Sequence, residues 1–210
     1  MLLQSTIIEG TTLITTKRFL FDLDGTVLDI ELLPLIGAEL GLRDELVHLT
    51  RLTMDGVIPF EISFRNRVEL LKKTPISRVR EIVASAPVNP AIEAFIKRHA
   101  ADCAIVTGNC DVWVQPLAVR LGCEVVASTT FSKGDALLEV DQIVDKGQAA
   151  KRLGGLCVVG DGHNDLAMFR ECCYSIAYGG VHAPAGSLFT VATHAIYDAD
   201  TLCRLLSRLF

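Results

Sequence analysis

Phe19-Leu20-Phe21-Asp22-Leu23-Asp24-Gly25-Thr26 decides the fold: three apolar residues run directly into two carboxylates, a glycine and a hydroxyl. A short run with no polar alternation reads as a strand covered on both faces, as in a parallel sheet flanked by helices. The arrangement recurs twice downstream. Ala104-Ile105-Val106 leads into Thr107-Gly108-Asn109, and Val158-Val159 into Gly160-Asp161-Gly162-His163-Asn164-Asp165. Two more runs, Cys123-Glu124-Val125-Val126-Ala127 and Tyr174-Ser175-Ile176-Ala177, have the same apolar character. Helical patterns lie between them, such as Asn89-Pro90 ahead of Ala91-Ile92-Glu93-Ala94-Phe95-Ile96, where asparagine caps and proline fills the first turn. Strand alternating with helix predicts an α/β fold on an open parallel sheet.

Outward from the first strand the spacing breaks its own rule. A crossover between parallel strands needs about a dozen residues and a helix, yet about 80 separate Leu23 from Ala104. The interval carries amphipathic runs near 31–52, 60–72 and 77–85 and almost no strand pattern. The expected organisation is therefore a core of 1–28 and 89–210, with a small helical cap, 29–88, inserted after the first core strand. Later crossovers look short, so this insertion is expected to stand alone. Ile7 to Ile14 suggests a hairpin turning at Glu9-Gly10, within an N-terminal segment 1–17.

Composition narrows the function. At 50% hydrophobic and 21% charged residues, the chain can bury a core and is not disordered, collagenous or coiled coil. With 20 basic against 25 acidic residues the formal charge is −5, without the basic excess that nucleic-acid binding demands. Seven cysteines, with no C-x-x-C pair, suit reduced thiols in a reducing compartment better than a disulfide framework or a zinc site. The segment from Cys172 to Tyr197 has no Asp, Glu, Lys or Arg and is long enough to cross a bilayer. Its glycines, Pro184, two histidines and short apolar clusters read instead as buried strands and a covered loop. A cytoplasmic protein without nucleic-acid or membrane partners is expected, as a monomer or homodimer.

The three polar clusters carry the chemistry. In an open parallel sheet the carboxyl ends of the strands share one edge, where ligands bind. Asp22, Asp24, Asp161 and Asp165 would then converge with an amide and a hydroxyl, and ionised carboxylates held that close repel one another unless a hard divalent cation with oxygen ligands joins them. Magnesium (Mg2+) fits better than zinc, because neither histidine nor cysteine shows ligand spacing. A dinucleotide loop at Gly160-Asp161-Gly162 is disfavoured, since Asp165 stands where that motif needs glycine. Lys146, if it begins a helix, is a cation where the macrodipole disfavours one. Beside an acidic phosphate site it gains a use, neutralising a transferring phosphoryl group.

Taken in order, Asp22 to Thr26 (D-x-D-x-T), Thr107-Gly108, Lys146 and Gly160 to Asp165 (G-D-G-x-N-D) resemble the four motifs of the haloacid dehalogenase-like superfamily, across the whole chain. The resemblance implies a Rossmann-like core and, from the second acid at Asp24, the phosphotransfer branch. Within that branch Glu31 and the segment from Met54 to Val68 are similar to the cap of the phosphoserine phosphatase family. By that likeness Arg67 would grip a substrate carboxylate, Glu31 would accept from its ammonium, and Met54 and Phe60, otherwise ordinary cap-core residues, would wall the pocket. Three departures stand out: Gly25 for the usual serine, Thr107-Gly108-Asn109 for Ser-Gly-Gly, and His163 where a small residue is commoner. Asn109 would place a side chain near the substrate's non-phosphate end.

The resemblance implies a magnesium-dependent phosphatase acting on a small phosphomonoester, phosphoserine or a similar molecule. Asp22 would form an aspartyl phosphate, with Asp24 as general acid and then base. The metal would be held by Asp22, Asp161 and the main-chain carbonyl of Asp24. Thr107, the Gly108 amide and Lys146 would bind phosphoryl oxygens, while Asn164 and Asp165 would orient Lys146 and the metal shell. Transfer to an alcohol such as homoserine uses the same residues, and a catalytically silent binding protein could keep the fold.

Overall fold

A computed structural model describes residues 19–209; the hairpin expected before residue 18 lies outside them. One sheet is built from β1 (Phe19–Phe21), β2 (Cys103–Cys110), β3 (Glu124–Ser128), β6 (Cys157–Gly160), β7 (Tyr174–Tyr178) and β8 (His194–Ile196). A separate two-stranded ribbon pairs β4 (Thr130–Lys133) with β5 (Ala136–Val140). All ladders of the large sheet are parallel, in the order β3-β2-β1-β6-β7-β8. Leaving the ribbon aside, that is the Rossmann-like order in which the chain reverses direction at its first strand. The α/β class read from the sequence is the class observed.

Pleating sorts the strand residues onto two faces. Phe19, Phe21, Ile105, Val159 and Ile176 join one apolar cluster with Ile92 and Phe95 of α5 (Pro90–Arg98), Trp113 of α6 (Asp111–Leu121) and Leu202 of α9 (Ala199–Leu206). Leu20, Ala104, Val106, Val158 and Ala177 join the other, with Ala149 and Leu153 of α7 (Lys146–Leu153) and Met168 of α8 (Leu166–Glu171). The unbroken apolar runs follow from this double cover. Asn89 caps α5 as expected, its side chain accepting from the Ala91 and Ile92 amides.

Between β1 and α5 stand four α-helices, α1 (Leu32–Gly37), α2 (Arg43–Met54), α3 (Phe60–Leu71) and α4 (Ile76–Ala84). The chain leaves and returns through a narrow neck: Leu28 bridges Val88, Asp29 donates its amide to the Pro87 carbonyl at 3.0 Å, and Asn89 donates to Val27 at 2.9 Å.

One expectation fails. The connection after β3 is not a short crossover; it carries the β4–β5 ribbon, which turns at Gly134 (φ 59°). Asp135 at that turn accepts from the Ser77 amide (2.7 Å) and hydroxyl (2.6 Å), and Arg65 donates to the Val140 carbonyl at 2.8 Å, so the ribbon grips α3 and α4. It buries little of its own, with Phe131 and Leu138 exposed, and such a strand pair has no strong hydrophobic pattern to announce it. The uncharged segment from Cys172 to Tyr197 forms β7, the turn at Gly186–Thr190 and β8, and none of the described helices is long and apolar enough to cross a membrane.

Candidate active site

The sheet reverses at β1, and there its first polar cluster meets the third. Asp22 donates its amide to the Val159 carbonyl (2.9 Å), while its carboxylate meets the ammonium of Lys146. Lys146 opens α7, whose cap is Asp145, accepting from the Gln148 amide. The second partner of Lys146 is Asp165 Oδ1 at 2.6 Å, and Asp165 Oδ2 in turn accepts from the amides of Asp161 and Gly162, each at 3.0 Å. Burial works against the Lys146 charge, but Asp165 and Asp22 outweigh it and hold the amine above its ordinary range. An ammonium at a helix N-terminus is thus kept by two carboxylates, against the dipole.

Asp22, Asp161 and Asp165, all buried, offer carboxylate oxygens within 4.8 Å of one another. Burial first, then like charge, raises both Asp22 and Asp161 well above the usual carboxylate range: Asp165 acts chiefly on Asp22, and Asp22 on Asp161. Asp161 takes one bond on Oδ1, from Thr26 at 3.4 Å, and its Oδ2 is buried with no hydrogen-bond partner among the described residues. An orphaned oxygen in an all-oxygen acidic cluster fits a hard divalent cation. Gly25 lies over it with φ 67°, where a Cβ would come 2.4 Å from Asp161 Oδ2. The glycine that departs from the family pattern is therefore required by this backbone and this carboxylate. Asp165 spends both oxygens on Lys146 and amides, so among the three acids Asp22 and Asp161 are the better donors.

The Asp24 carboxylate turns away from that cluster. Its Oδ1 accepts from the Leu32 amide at 2.7 Å and its Oδ2 from Asn109 Nδ2. Burial, then Glu31, pushes its carboxyl up to about 7, an acid able to give and take a proton near neutrality. Asn109 therefore faces Asp24, with its amide also reaching the buried Thr107 hydroxyl at 3.2 Å. Thr107, Gly108 and Asn109 lie where the β2–β3 ladder loses register between Val106 and Cys110.

Above these acids a narrow pocket opens between the strand ends and the inserted helices. Glu31, Met54, Phe60, Arg67, Gly108, Asn109 and Asn164 all line it. Phe60 roofs Gly108 so closely that a Cβ there would sit 2.2 Å from its ring. Arg67 is 4% exposed and bonds Thr50 Oγ1 (2.8 Å) and the Ser63 carbonyl (3.3 Å), with no carboxylate within 4.0 Å among the described residues. Burial lowers Arg67, opposed by Glu31 and Asp24. Asn164 lines the pocket but makes no hydrogen bond to Lys146 among the described residues; Asp165 and Asp22 hold that lysine. His163 packs beside Gly56 and bonds Ser187 Oγ at 2.8 Å, joining the core to the turn after α2. Thr50 and His182 were not legible beforehand, and Ser63 only as part of the Met54 to Val68 segment. The one local signal was polar residues at 50, 53 and 63 on otherwise amphipathic helices.

The model of the haloacid dehalogenase-like hydrolases matches residues 19–170. Over 179 residues the chain is 30% identical to a phosphoserine phosphatase of Methanocaldococcus jannaschii, covering 77% of this chain and 85% of that one. Several other curated phosphoserine phosphatases are longer, and the chain spans about half of each. Among solved structures it is similar to a substrate-bound phosphoserine phosphatase (TM-score 0.79, 27% identity, 92% of this chain and 98% of that one). A phospho-aspartyl intermediate analogue of phosphoserine phosphatase is similar too (TM-score 0.77, 26% identity, 90% and 98%). Fold, acidic site and relatives together define a phosphoric monoester hydrolase whose acidic cluster fits a divalent metal. The chain belongs to the haloacid dehalogenase-like hydrolase family.

Proposed function

We propose that this phosphatase is magnesium-dependent and hydrolyses a small phosphorylated amino acid, with phosphoserine the best fit. The observation that carries the reading is one pocket with Asp161 and the Lys146-paired Asp22 at its floor and, among its walls, an anion and a cation, Glu31 and Arg67. A zwitterion's ammonium and carboxylate need that opposed pair. The names of the relatives support the same substrate.

Asp22 attacks phosphorus while the ester P–O bond breaks, giving an aspartyl phosphate and an alkoxide that takes its proton from Asp24. Asp24 then removes a proton from the water that displaces the phosphoryl group from Asp22, releasing phosphate. Mg2+ would be held by Asp22, Asp161 and the Asp24 main-chain carbonyl, where it supplies charge neutralisation of the phosphoryl oxygens. Lys146, Thr107 and the Gly108 amide bind those oxygens, Asp165 fixes Lys146, and Asn164 contributes to the wall. Residues 29–88 serve as the cap, excluding bulk water during chemistry and releasing product on opening.

Two substitutions test this on a panel of phosphorylated metabolites. Asp22→Asn should abolish turnover of every ester, because the attacking oxygen is gone; residual turnover near the wild-type rate would rule out Asp22 as nucleophile. Arg67→Ala should raise KM for carboxylate-bearing esters by about 2 to 5 kcal/mol in binding, as for a buried charge contact. Unchanged phosphoserine turnover in that variant would refute the cap assignment and leave the core chemistry standing.

A further inference from the structure

The Glu31 carboxylate has one polar partner among the described residues, His182, whose Nε2 lies 3.4 Å from Glu31 Oε1. The two come from distant parts of the chain and meet in an outer cleft that both line. Glu31 ends the neck just before α1, and His182 lies in the loop between β7 and the turn at Gly186–Thr190. Glu31 and the acids Asp24 and Asp161 repel one another, while Arg67 attracts Glu31 without pairing with it within 4.0 Å among the described residues. A wide outer cleft, lined by Arg43, Val47, Arg51 and Val181, shares Glu31, Thr50 and Met54 with the inner pocket, so an untethered carboxylate has open space to swing into. His182 lines that cleft, and the Oε1 it meets is 3.3 Å from the point a Gly25 Cβ would occupy, beside Asp161.

We propose that His182 is a positioning residue that fixes the Glu31 carboxylate at the boundary of the two cavities and thereby sets selectivity for phosphoesters bearing an ammonium group. A carboxylate has lone pairs for both the imidazole N–H and a substrate ammonium, so the two donors act together. A binding group keeps its productive geometry only while the packing and hydrogen bonds behind it hold its rotamer. The proposal rests on the reading of Glu31 as the ammonium partner.

The experiment compares O-phosphoserine with 3-(phosphonooxy)propionate, the same ester with hydrogen in place of the ammonium, in wild type, His182→Ala, His182→Gln and Glu31→Gln. His182→Ala should lower the ratio of kcat/KM for the amine-bearing over the amine-free ester about five- to tenfold, through KM. His182→Gln, which keeps a donor at similar reach, should restore at least half of that loss. A ratio that is unchanged or rises in His182→Ala, while Glu31→Gln collapses it, overturns the role of His182 alone. An unchanged ratio in Glu31→Gln overturns the reading of Glu31 and this proposal with it, as does a wild type that turns over neither ester. An equal loss of kcat for both esters would mark His182 as structural and also overturn it.

Discussion

At the scale of single residues, the site is governed by what each carboxylate can bond to. Four aspartates at the strand ends behave differently because their partners differ: Asp165 is saturated by Lys146 and two amides, Asp22 shares that lysine, Asp24 is held by Leu32 and Asn109, and Asp161 retains an orphaned oxygen. Gly25 makes the last possible. Its left-handed backbone costs a residue with a Cβ roughly 1 to 2 kcal/mol, and the added carbon would also force the short, buried Asp161 side chain to turn. Gly25→Ala should therefore destabilise the fold by about that amount in urea melts and raise the Mg2+ concentration needed for half-maximal activity. A metal response identical to wild type would show that Asp161 is not constrained by this glycine. The aspartates themselves were legible from their places after apolar runs. Asn109 was legible as a departure, but its partner was not, because Asp24 lies far from it in sequence.

Elements are held by a mixture of apolar faces and a few charged ties. Helices α5 and α6 meet through Glu93, which accepts from Arg120 Nε and Nη2 at 2.8 and 2.7 Å and pairs with Lys97 at 2.8 Å. The Arg120 bonds, against a smaller opposing effect of burial, bring the Glu93 carboxyl down to about 2. A carboxyl lowered in the fold stabilises it above its unfolded pKa of about 4.3, and that contribution is lost as pH falls from there toward 2. Arg120 is about a third exposed, so water screens the tie and about 1 kcal/mol is the expected size. Glu93→Gln should be less stable than wild type by that margin at pH 7 in thermal or urea melts, with the gap closing between pH 4.5 and 2. A gap independent of pH would assign the effect to packing. The sequence displayed α5 clearly, through Asn89-Pro90 and its apolar spacing, while the β4–β5 ribbon stayed hidden because its stability comes from bonds to α3 and α4 and not from its own pattern.

On the scale of the whole molecule, the repulsion among Asp22, Asp161 and Asp165 is a cost of folding that a bound cation removes. If Mg2+ binds the native cluster and not the unfolded chain, mass action adds about 2.7 kcal/mol when the ion is at a hundred times its Kd. The melting temperature should rise with Mg2+ concentration, and Asp161→Asn should flatten the dependence; a melting temperature insensitive to the ion in wild type would argue against a magnesium site here. By itself the sequence determined the α/β class and which acids follow the apolar strands, because strand burial, helix capping and turn chemistry are local, and a local pattern survives in one dimension. Tertiary structure alone decided which oxygens remain open for a metal, that Asn109 serves Asp24, that Thr50 and Ser63 carry Arg67, and that His182 meets Glu31. Those choices depend on distances between side chains dozens of residues apart, set by how the sheet twists and how the inserted helices settle on it, and no spacing along the chain encodes them.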